Sequence, residues 1–411
     1  MTNSSLQGAV SRRQRVLAPT YRLFYSDPIH MVRAEGVWMY DADGRRYLDA
    51  YNNVPVVGHC HPVVVSRIAE QAARLNTHTR YMTDGPVELA ERLLATVPTE
   101  LTSVTFTCTG SEANDLAVRI SKAATGGTGF IVTTGAYHGT TETLSGMSPV
   151  TGAATAPEVF TVAAPVDARD AGNFGARVDE CLQRMRKAGI KPAGLLVDTI
   201  FGSDGVISHP EGFLRPAVEA IHRAGGLFIA DEVQPGFGRT GSGMWGFARH
   251  GIVPDLVTMG KPMGNGHPVA ALLANDRAMH EFAEQYRYFN TFGGNTVSCA
   301  AALAVLDTIE RERLIDNARE VGEYLAGSLR AVAARCPEIR AVRGVGLFIG
   351  VQLESRDRAT YIVNALRRNG VLIGASGSAF DALKIRPPLV IRREQADLLV
   401  KEVEQALRSD T

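Results

Sequence analysis

The sequence predicts an α/β protein whose mainly parallel sheet is covered by helices on both faces. From about residue 85 onward, short apolar runs alternate with helical patterns. The runs are apolar at successive positions, which is typical of strands buried on both faces of a parallel sheet. The length of 411 residues also allows two or more packed units.

The chain begins with an arm and a hairpin, both within residues 1–60. Residues 1–24 contain four arginines and no acid, a composition shared by transit peptides and by flexible arms. We expect a flexible arm, because no clear amphipathic apolar face develops. Aromatic-rich segments 37–40 and 45–50 flank an Asp/Gly turn and predict the hairpin.

A large domain is expected over residues 61–310, where helices and strands alternate. The pattern predicts helices over 87–96, 112–124 and 213–224, and strands over 103–108, 129–133, 194–198, 227–230 and 255–259. Ligands of such sheets bind in the loops beyond the carboxyl ends of the strands. We therefore expect the functional residues in the loops that follow these strands.

A smaller α+β unit is expected over residues 311–411. Its predicted elements are a long helix over 314–334, a strand pair around 342–353, a helix over 358–368, two short strands and an amphipathic helix over 394–408. We expect the N-terminal hairpin to pack with this unit. The small domain would then be built from both ends of the chain.

Charge and cysteine content exclude several classes of protein. The 43 basic and 43 acidic residues leave no net charge to attract a nucleic acid or an anionic membrane. The sequence contains no run of 18 apolar residues, which is about the length needed to span a bilayer. The five cysteines are dispersed without a Cys-x-x-Cys pair, which argues against a zinc ribbon or a disulfide framework and fits a reducing compartment. We expect a cytoplasmic protein with no metal site.

Lysines are scarce, which narrows the search for a reactive amine. The chain has six, at positions 122, 187, 191, 261, 384 and 401. Only Lys261 follows a mostly apolar strand into a glycine-rich loop, where desolvation favours a neutral amine suited to a Schiff base. The alternative is a lysine that extends from the strand end to solvent. Lys384 stands close to Arg386 and could meet an anion, whereas the other four lysines are expected on the surface.

Two further motifs follow predicted strands. Gly110 and Ser111 begin a helix and could offer N–H groups and a hydroxyl to a phosphate, although a plain helix cap by Ser111 is an equal alternative. Asp231 and Glu232 follow a fully apolar run, so Asp231 should be buried and specifically partnered. An ion pair with an arginine such as Arg239 is the alternative.

A phosphate cradle, a buried carboxylate and a desolvated lysine together predict pyridoxal 5'-phosphate. This cofactor needs a lysine imine, an anion site and an acid that keeps its pyridine nitrogen protonated. Tyr137 could stack on the cofactor ring. The glycine-rich loop 290–295 could hold phosphate as well.

The motifs and their order resemble the class III, or ω-type, aminotransferases of the fold-type I pyridoxal-phosphate enzymes. The resemblance covers roughly residues 20–408. The matching segments are Thr109–Asn114, Tyr137–Gly139, Asp231–Gln234, Gly236–Gly241, Gly260–Lys261 and Thr291–Asn295.

This resemblance implies a role for each matching residue. Lys261 would form the aldimine, and Asp231 would pair with the pyridine nitrogen. Thr291 would reach the phosphate of the partner subunit, so the implied active unit is a homodimer; whether dimers pair into a tetramer is left open. The implied cofactor-binding residues are Gly110 and Ser111 at the phosphate, Tyr137 with His138 and Val233 at the ring, Gln234 near the 3-hydroxyl, and Asp231, Lys261 and Thr291.

Amino-group transfer is the leading expected reaction, because most members of the family are aminotransferases. An amine or amino acid would donate its amino group to a 2-oxo acid or aldehyde in a ping-pong mechanism. The alternative is elimination of phosphate, because segments 51–62 and 75–81 are similar to phospho-lyases acting on ethanolamine phosphate or phosphohydroxylysine.

Two departures from the family pattern affect the expected substrate pocket. The segment Asp198–Gly202 stands where the family commonly has Glu-Pro-x-Gln-Gly, and Lys384 stands where many members carry arginine. We expect Asn53, Lys384 and Arg386 to contact the substrate. The two cations could hold a carboxylate or a phosphate equally well.

Overall fold

A computed structural model of the chain describes residues 3–409, which form helices and strands in alternation. The helices are α1 (Asn3–Val16), α2 (Pro62–Arg74), α3 (Asp84–Leu94), α4 (Gly110–Thr125), α5 (Glu142–Ser145), α6 (Ala168–Ala171), α7 (Phe174–Lys187), α8 (Arg215–Arg223), α9 (Asp276–Gln285), α10 (Thr296–Arg311), α11 (Leu314–Ala333), α12 (Arg356–Arg368) and α13 (Arg393–Arg408). The strands are β1 (Met31–Glu35), β2 (Trp38–Asp41), β3 (Arg46–Asp49), β4 (Leu101–Thr107), β5 (Gly129–Thr133), β6 (Val159–Val162), β7 (Pro192–Asp198), β8 (Leu227–Asp231), β9 (Leu256–Met259), β10 (Ala270–Asn275), β11 (Ile339–Val345), β12 (Phe348–Leu353), β13 (Val371–Leu372), β14 (Gly374–Ser376) and β15 (Ala382–Ile385).

The central sheet has seven strands in the order β4-β10-β9-β8-β7-β5-β6. Pairings between β9, β8, β7, β5 and β6 are parallel, and β10 is antiparallel to both of its neighbours. Strands β5, β8 and β9 are buried at every position. Burial on both faces explains their unbroken apolar runs, and the predicted mainly parallel sheet is confirmed.

The carboxyl ends of the central strands bring distant segments together. Asp198 ends β7 and lies directly beside Asp231, which ends the parallel neighbour β8. The next strand, β9, ends two residues before Lys261. Three segments separated by whole helices therefore meet at one edge of the sheet.

The N-terminal hairpin is confirmed as β2 and β3, and it joins a sheet with the order β1-β2-β3-β13. Strand β13 comes from the C-terminal part of the chain and pairs in parallel with β3, opposing Val371 to Leu48. A further antiparallel sheet has the order β11-β12-β15-β14. The domain limits near residues 60 and 310 stay predictions.

The structure differs from the expectations at both ends of the chain. The expected arm contains helix α1, whose described side chains are mostly exposed, while residues 1–2 lie outside the described part. Three short strands, β13 to β15, follow α12 where two were expected, because the segment contributes to two different sheets. None of the helices between residues 3 and 409 has the length and apolar character needed to cross a membrane.

Candidate active site

A cavity of about 320 Å³ opens beyond the carboxyl ends of β7, β8 and β9. It brings together eight residues that the sequence analysis assigns to the cofactor. These are Gly110, Ser111, Tyr137, His138, Asp231, Val233, Gln234 and Lys261.

The start of α4 forms one wall of this cavity. Thr109 caps the helix: its hydroxyl accepts a hydrogen bond from the Glu112 N–H at 3.2 Å, and the Glu112 carboxylate accepts one from the Thr109 N–H at 3.2 Å. The alternative of a cap by Ser111 is therefore wrong. The first N–H groups of a helix have no partner within the helix, so those of Gly110 and Ser111 can serve an anion.

Asp231 is buried and held by three donors. Its carboxylate accepts hydrogen bonds from Asn114 Nδ2 at 2.9 Å, from His138 Nδ1 at 2.8 Å and from the Val233 N–H at 3.1 Å. The expectation of a buried, specifically partnered acid is confirmed. The partners are an amide, an imidazole and the backbone, so the carboxylate is fixed in place.

Neither Asp231 nor Glu232 pairs with Arg239, so that alternative is wrong. Arg239 is buried and donates to the carbonyl oxygens of Leu347, at 3.2 Å, and Pro387. The Glu232 carboxylate accepts hydrogen bonds from the N–H groups of Gly246 and Phe247 and from a threonine hydroxyl, while burial raises its pKa to about 7. Glu232 thus holds the turn at 246–247.

Lys261 extends into the cavity from the loop that follows β9. Protein groups surround the amine, yet more than a third of the residue's surface is open to the cavity. Burial lowers the pKa of Lys261, and the nearby Asp231 charge opposes that shift. Full desolvation of Lys261 stays a prediction, whereas the four lysines expected on the surface, Lys122, Lys187, Lys191 and Lys401, are exposed.

A second cavity, of about 350 Å³, adjoins the first and shares Val54, Tyr137, Gln234 and Lys261 with it. The three expected substrate residues, Asn53, Lys384 and Arg386, all line this second cavity. Arg386 Nη1 donates to Gln234 Oε1 at 2.7 Å and to Asn53 Oδ1 at 3.3 Å. Arg386 therefore contacts a residue, Gln234, that lines both cavities.

The second cavity is rich in hydrogen-bond donors and poor in acids. Lys384 and Arg386 are each 7% exposed, and neither forms an ion pair within 4 Å among residues 3–409. Asn53 Nδ2, Ser376 Oγ and Arg386 Nε are buried beside it without a hydrogen-bond partner. Burial lowers the pKa of both cations. Such a set of groups is stabilised by an anionic ligand.

Comparison with known proteins identifies the family. The chain matches the class-III aminotransferases over residues 24–407. The chain belongs to this family.

Individual relatives of this class III enzyme include both aminotransferases and phospho-lyases. It is 36% identical to "Alanine–glyoxylate aminotransferase 2-like" of Drosophila melanogaster, over 94% of this chain and 84% of that protein. It is 33% identical to "Ethanolamine-phosphate phospho-lyase homolog 1" of Caenorhabditis elegans, over 98% and 94%. Among solved structures, a phospholyase from Arthrobacter in complex with phosphoethanolamine is 39% identical, with a TM-score of 0.94, over 98% of this chain and 100% of that one.

The family assignment makes the protein a fold-type I enzyme that uses pyridoxal 5'-phosphate. Amine and oxo-acid substrates are typical of class III aminotransferases. Some curated relatives are named as mitochondrial, and the expected cytoplasmic location stays a prediction.

The residues around the first cavity fit this cofactor. A Cβ at position 110 would lie 2.8 Å from Val233 Cγ2, and a Cβ at position 139 would lie 2.7 Å from Ser111 Oγ. A side chain at position 110 would therefore crowd Val233, and one at position 139 would crowd the Ser111 hydroxyl. The cavity thus combines hydrogen-bond donors for a phosphate, a fixed carboxylate and an amine, which are the groups that pyridoxal phosphate requires.

Two of the expected cofactor residues differ from the others in their surroundings. His138 is buried with its ring on Asp231, so its position indicates a support for that acid. Thr291 is exposed and is not among the residues that line its own chain's cavity. Its expected contact with the partner subunit's cofactor stays a prediction.

Asn114 was not among the predicted site residues, and Asp198 was considered only as part of a departure from the family pattern. Asn114 follows Ser111 by one helical turn, and its amide also donates to the His138 carbonyl at 2.8 Å. The i, i+3 spacing placed both residues on one face of α4 and was the available signal. Asp198 lines the first cavity, and its position at the end of an apolar strand was the equivalent signal.

Proposed function

We propose that this enzyme is a phospho-lyase that eliminates phosphate from a phosphorylated primary amine such as ethanolamine phosphate. The observation that carries the proposal is the second cavity, where Lys384 and Arg386 lie together and neither forms an ion pair within 4 Å with any acid of residues 3–409. A phosphate monoester has a charge of about −1.5 to −2 at pH 7 and three strong acceptor oxygens. It therefore matches two cations and the neutral donors beside them better than a carboxylate does.

The comparisons support the same reaction. The Arthrobacter phospholyase matched over nearly the whole chain carries phosphoethanolamine in its structure. The Caenorhabditis elegans relative is named for the same substrate. The proposal reverses the order of the two reactions expected from the sequence.

The residues of the two cavities divide the work of an elimination. When bound, the cofactor stabilises the negative charge that develops on the substrate's Cα. Lys261, whose pKa is lowered by burial, removes the Cα proton. The electron pair of that C–H bond forms the Cα–Cβ double bond as the Cβ–O bond breaks. Lys384 and Arg386 hold the phosphate and stabilise its charge as it leaves.

Amino-group transfer is the second candidate, because relatives at 36% identity are named as aminotransferases. In that reaction Lys384 and Arg386 would hold a substrate carboxylate. Lys261 would carry the proton from Cα to the cofactor instead of leaving the charge to expel a group from Cβ.

A paired assay on the purified, cofactor-loaded enzyme separates the two reactions. We expect ethanolamine phosphate to yield inorganic phosphate, and unphosphorylated ethanolamine to yield no comparable product. Amino donors supplied without an acceptor should leave the cofactor's visible absorbance unchanged. Conversion of that absorbance by an amino donor, with no phosphate released from ethanolamine phosphate, would establish amino transfer instead.

We also propose that the enzyme acts as a homodimer in which Thr291 of each subunit reaches the other's cofactor phosphate. The loop supports this arrangement because Thr291 and its neighbour Phe292, 69% exposed, are both open on the isolated chain. Exposed Tyr81 and Met82 add apolar surface of the kind that subunits bury. Light scattering should give twice the chain mass, and a single-chain mass would contradict the proposal.

A further inference from the structure

Asp198 is an acid close to the second cavity, and backbone N–H groups of the following turn restrain its carboxylate. It ends β7 and lines the cofactor cavity. Its two oxygens accept hydrogen bonds from the N–H groups of Ile200, at 3.1 Å, and Gly202, at 2.9 Å. Both oxygens are thus held by the turn that follows the strand.

This restrained carboxylate lies near Lys384 without reaching it. A Cβ at Gly202 would lie 2.9 Å from Asp198 Oδ2 and 2.8 Å from the ring of Phe348. The Lys384 ammonium lies 5.2 Å from the centre of that same ring. Aspartate, glycine, phenylalanine and lysine therefore form one cluster, yet the acid and the ammonium are not within the 4 Å of an ion pair.

The two charges nevertheless influence each other. Burial is the main effect on both groups, raising the pKa of Asp198 and lowering that of Lys384. The Lys384 charge opposes the first shift, and the Asp198 charge opposes the second. If the two groups came within ion-pair distance, the acid would compensate the charge of the buried ammonium.

We propose that Asp198 is a specificity-determining residue of the enzyme, whose short, backbone-bound carboxylate leaves Lys384 free for the substrate's phosphate. This inference rests on the proposed lyase function. Glutamate, common at this position in the family, is longer by one methylene, which extends its reach by about 1.5 Å. An acid of that length would pair with Lys384 and remove one of the two charges that the phosphate requires.

The test is a double-mutant cycle with Asp198→Glu and Lys384→Met in the cofactor-loaded enzyme. Inorganic phosphate is titrated calorimetrically, and KM and kcat for ethanolamine phosphate are measured alongside. Asp198→Glu alone should weaken phosphate binding and raise KM by about tenfold or more, the worth of a charge-assisted hydrogen bond, with a smaller change in kcat. In the Lys384→Met background, the same substitution should change phosphate binding less than about twofold, because no ammonium remains to be paired.

Two outcomes would overturn the inference. In the first, the Asp198→Glu variant binds phosphate as tightly as the unmodified enzyme does. In the second, Asp198→Glu weakens phosphate binding by the same factor with Lys384 present and in the Lys384→Met background. If Asp198→Glu does not fold, Lys384→Arg replaces it, because the longer guanidinium should reach Asp198 from the other side and lose phosphate affinity likewise. Failure of the unmodified enzyme to release phosphate would reject the lyase function. The calorimetric cycle would still report separately on the coupling between Asp198 and Lys384.

Discussion

Lys261→Ala is expected to abolish turnover and to remove the visible absorbance of the bound cofactor. No other lysine among the described residues lines the first cavity, so no second amine can replace it there. The proton transfer that we propose for Lys261 is itself worth about 10²–10⁴-fold in rate, and the expected covalent attachment of the cofactor would be lost with it. Absorbance spectra of the purified protein and phosphate release from ethanolamine phosphate measure the two effects.

The matched control is Lys401→Ala, which removes an exposed lysine from α13. It should keep both the absorbance and the rate, because a surface charge away from special contacts changes little. Circular dichroism should show that both variants are folded. An unchanged cofactor spectrum in Lys261→Ala would show that another group holds the cofactor.

Much of this site is predictable because the residues follow strands whose apolar runs are unambiguous. Strand 129–133 was predicted at the residues observed for β5, and β8 and β9 differ from the prediction by one residue. Complete burial strongly favours apolar side chains, so such strands stand out from their surroundings. Because lysines are scarce, Lys261 stands out as the lysine that follows such a strand into a glycine-rich loop.

The partners of Asp231 illustrate what the sequence does not contain. Asn114 and His138 are 117 and 93 residues away along the chain, and they reach the carboxylate from a helix and from a loop. Neither periodicity nor spacing encodes such a contact, so an arginine was the reasonable alternative. The structure brings these partners to Asp231 because the segments that follow parallel strands meet at one edge of the sheet.

The second cavity also combines a feature that the sequence predicts with one that it does not. Lys384 and Arg386 are two residues apart, and an extended segment places such residues on one face. Both side chains line the same cavity, as this spacing predicts. The sequence could not show whether an acid neutralises them. That depends on how Asp198 is held by the N–H groups of Ile200 and Gly202, which is a property of the folded turn.

Asp231→Asn should retain some cofactor but lower the rate of phosphate release by about 10²–10³-fold, as removal of one preorganised electrostatic partner does elsewhere. The carboxylate is fixed by Asn114, His138 and the Val233 N–H, so an amide at this position would occupy nearly the same place without the charge. A neutral partner no longer favours a protonated pyridine nitrogen, and the ring then withdraws electrons poorly. The loss should appear in kcat, with a smaller change in KM.

Glu232→Gln is the control that distinguishes the effect of removing a carboxylate at the cofactor from the effect of removing one in the protein core. Glu232 is adjacent in sequence and equally buried, but its carboxylate holds the Gly246–Phe247 turn and is not among the residues lining the cavity. Its replacement should lower the melting temperature and leave the pH dependence of the cofactor's absorbance in place, whereas Asp231→Asn should shift that dependence. If the two variants lost rate and absorbance to the same degree, the effect at Asp231 would be structural and not electrostatic.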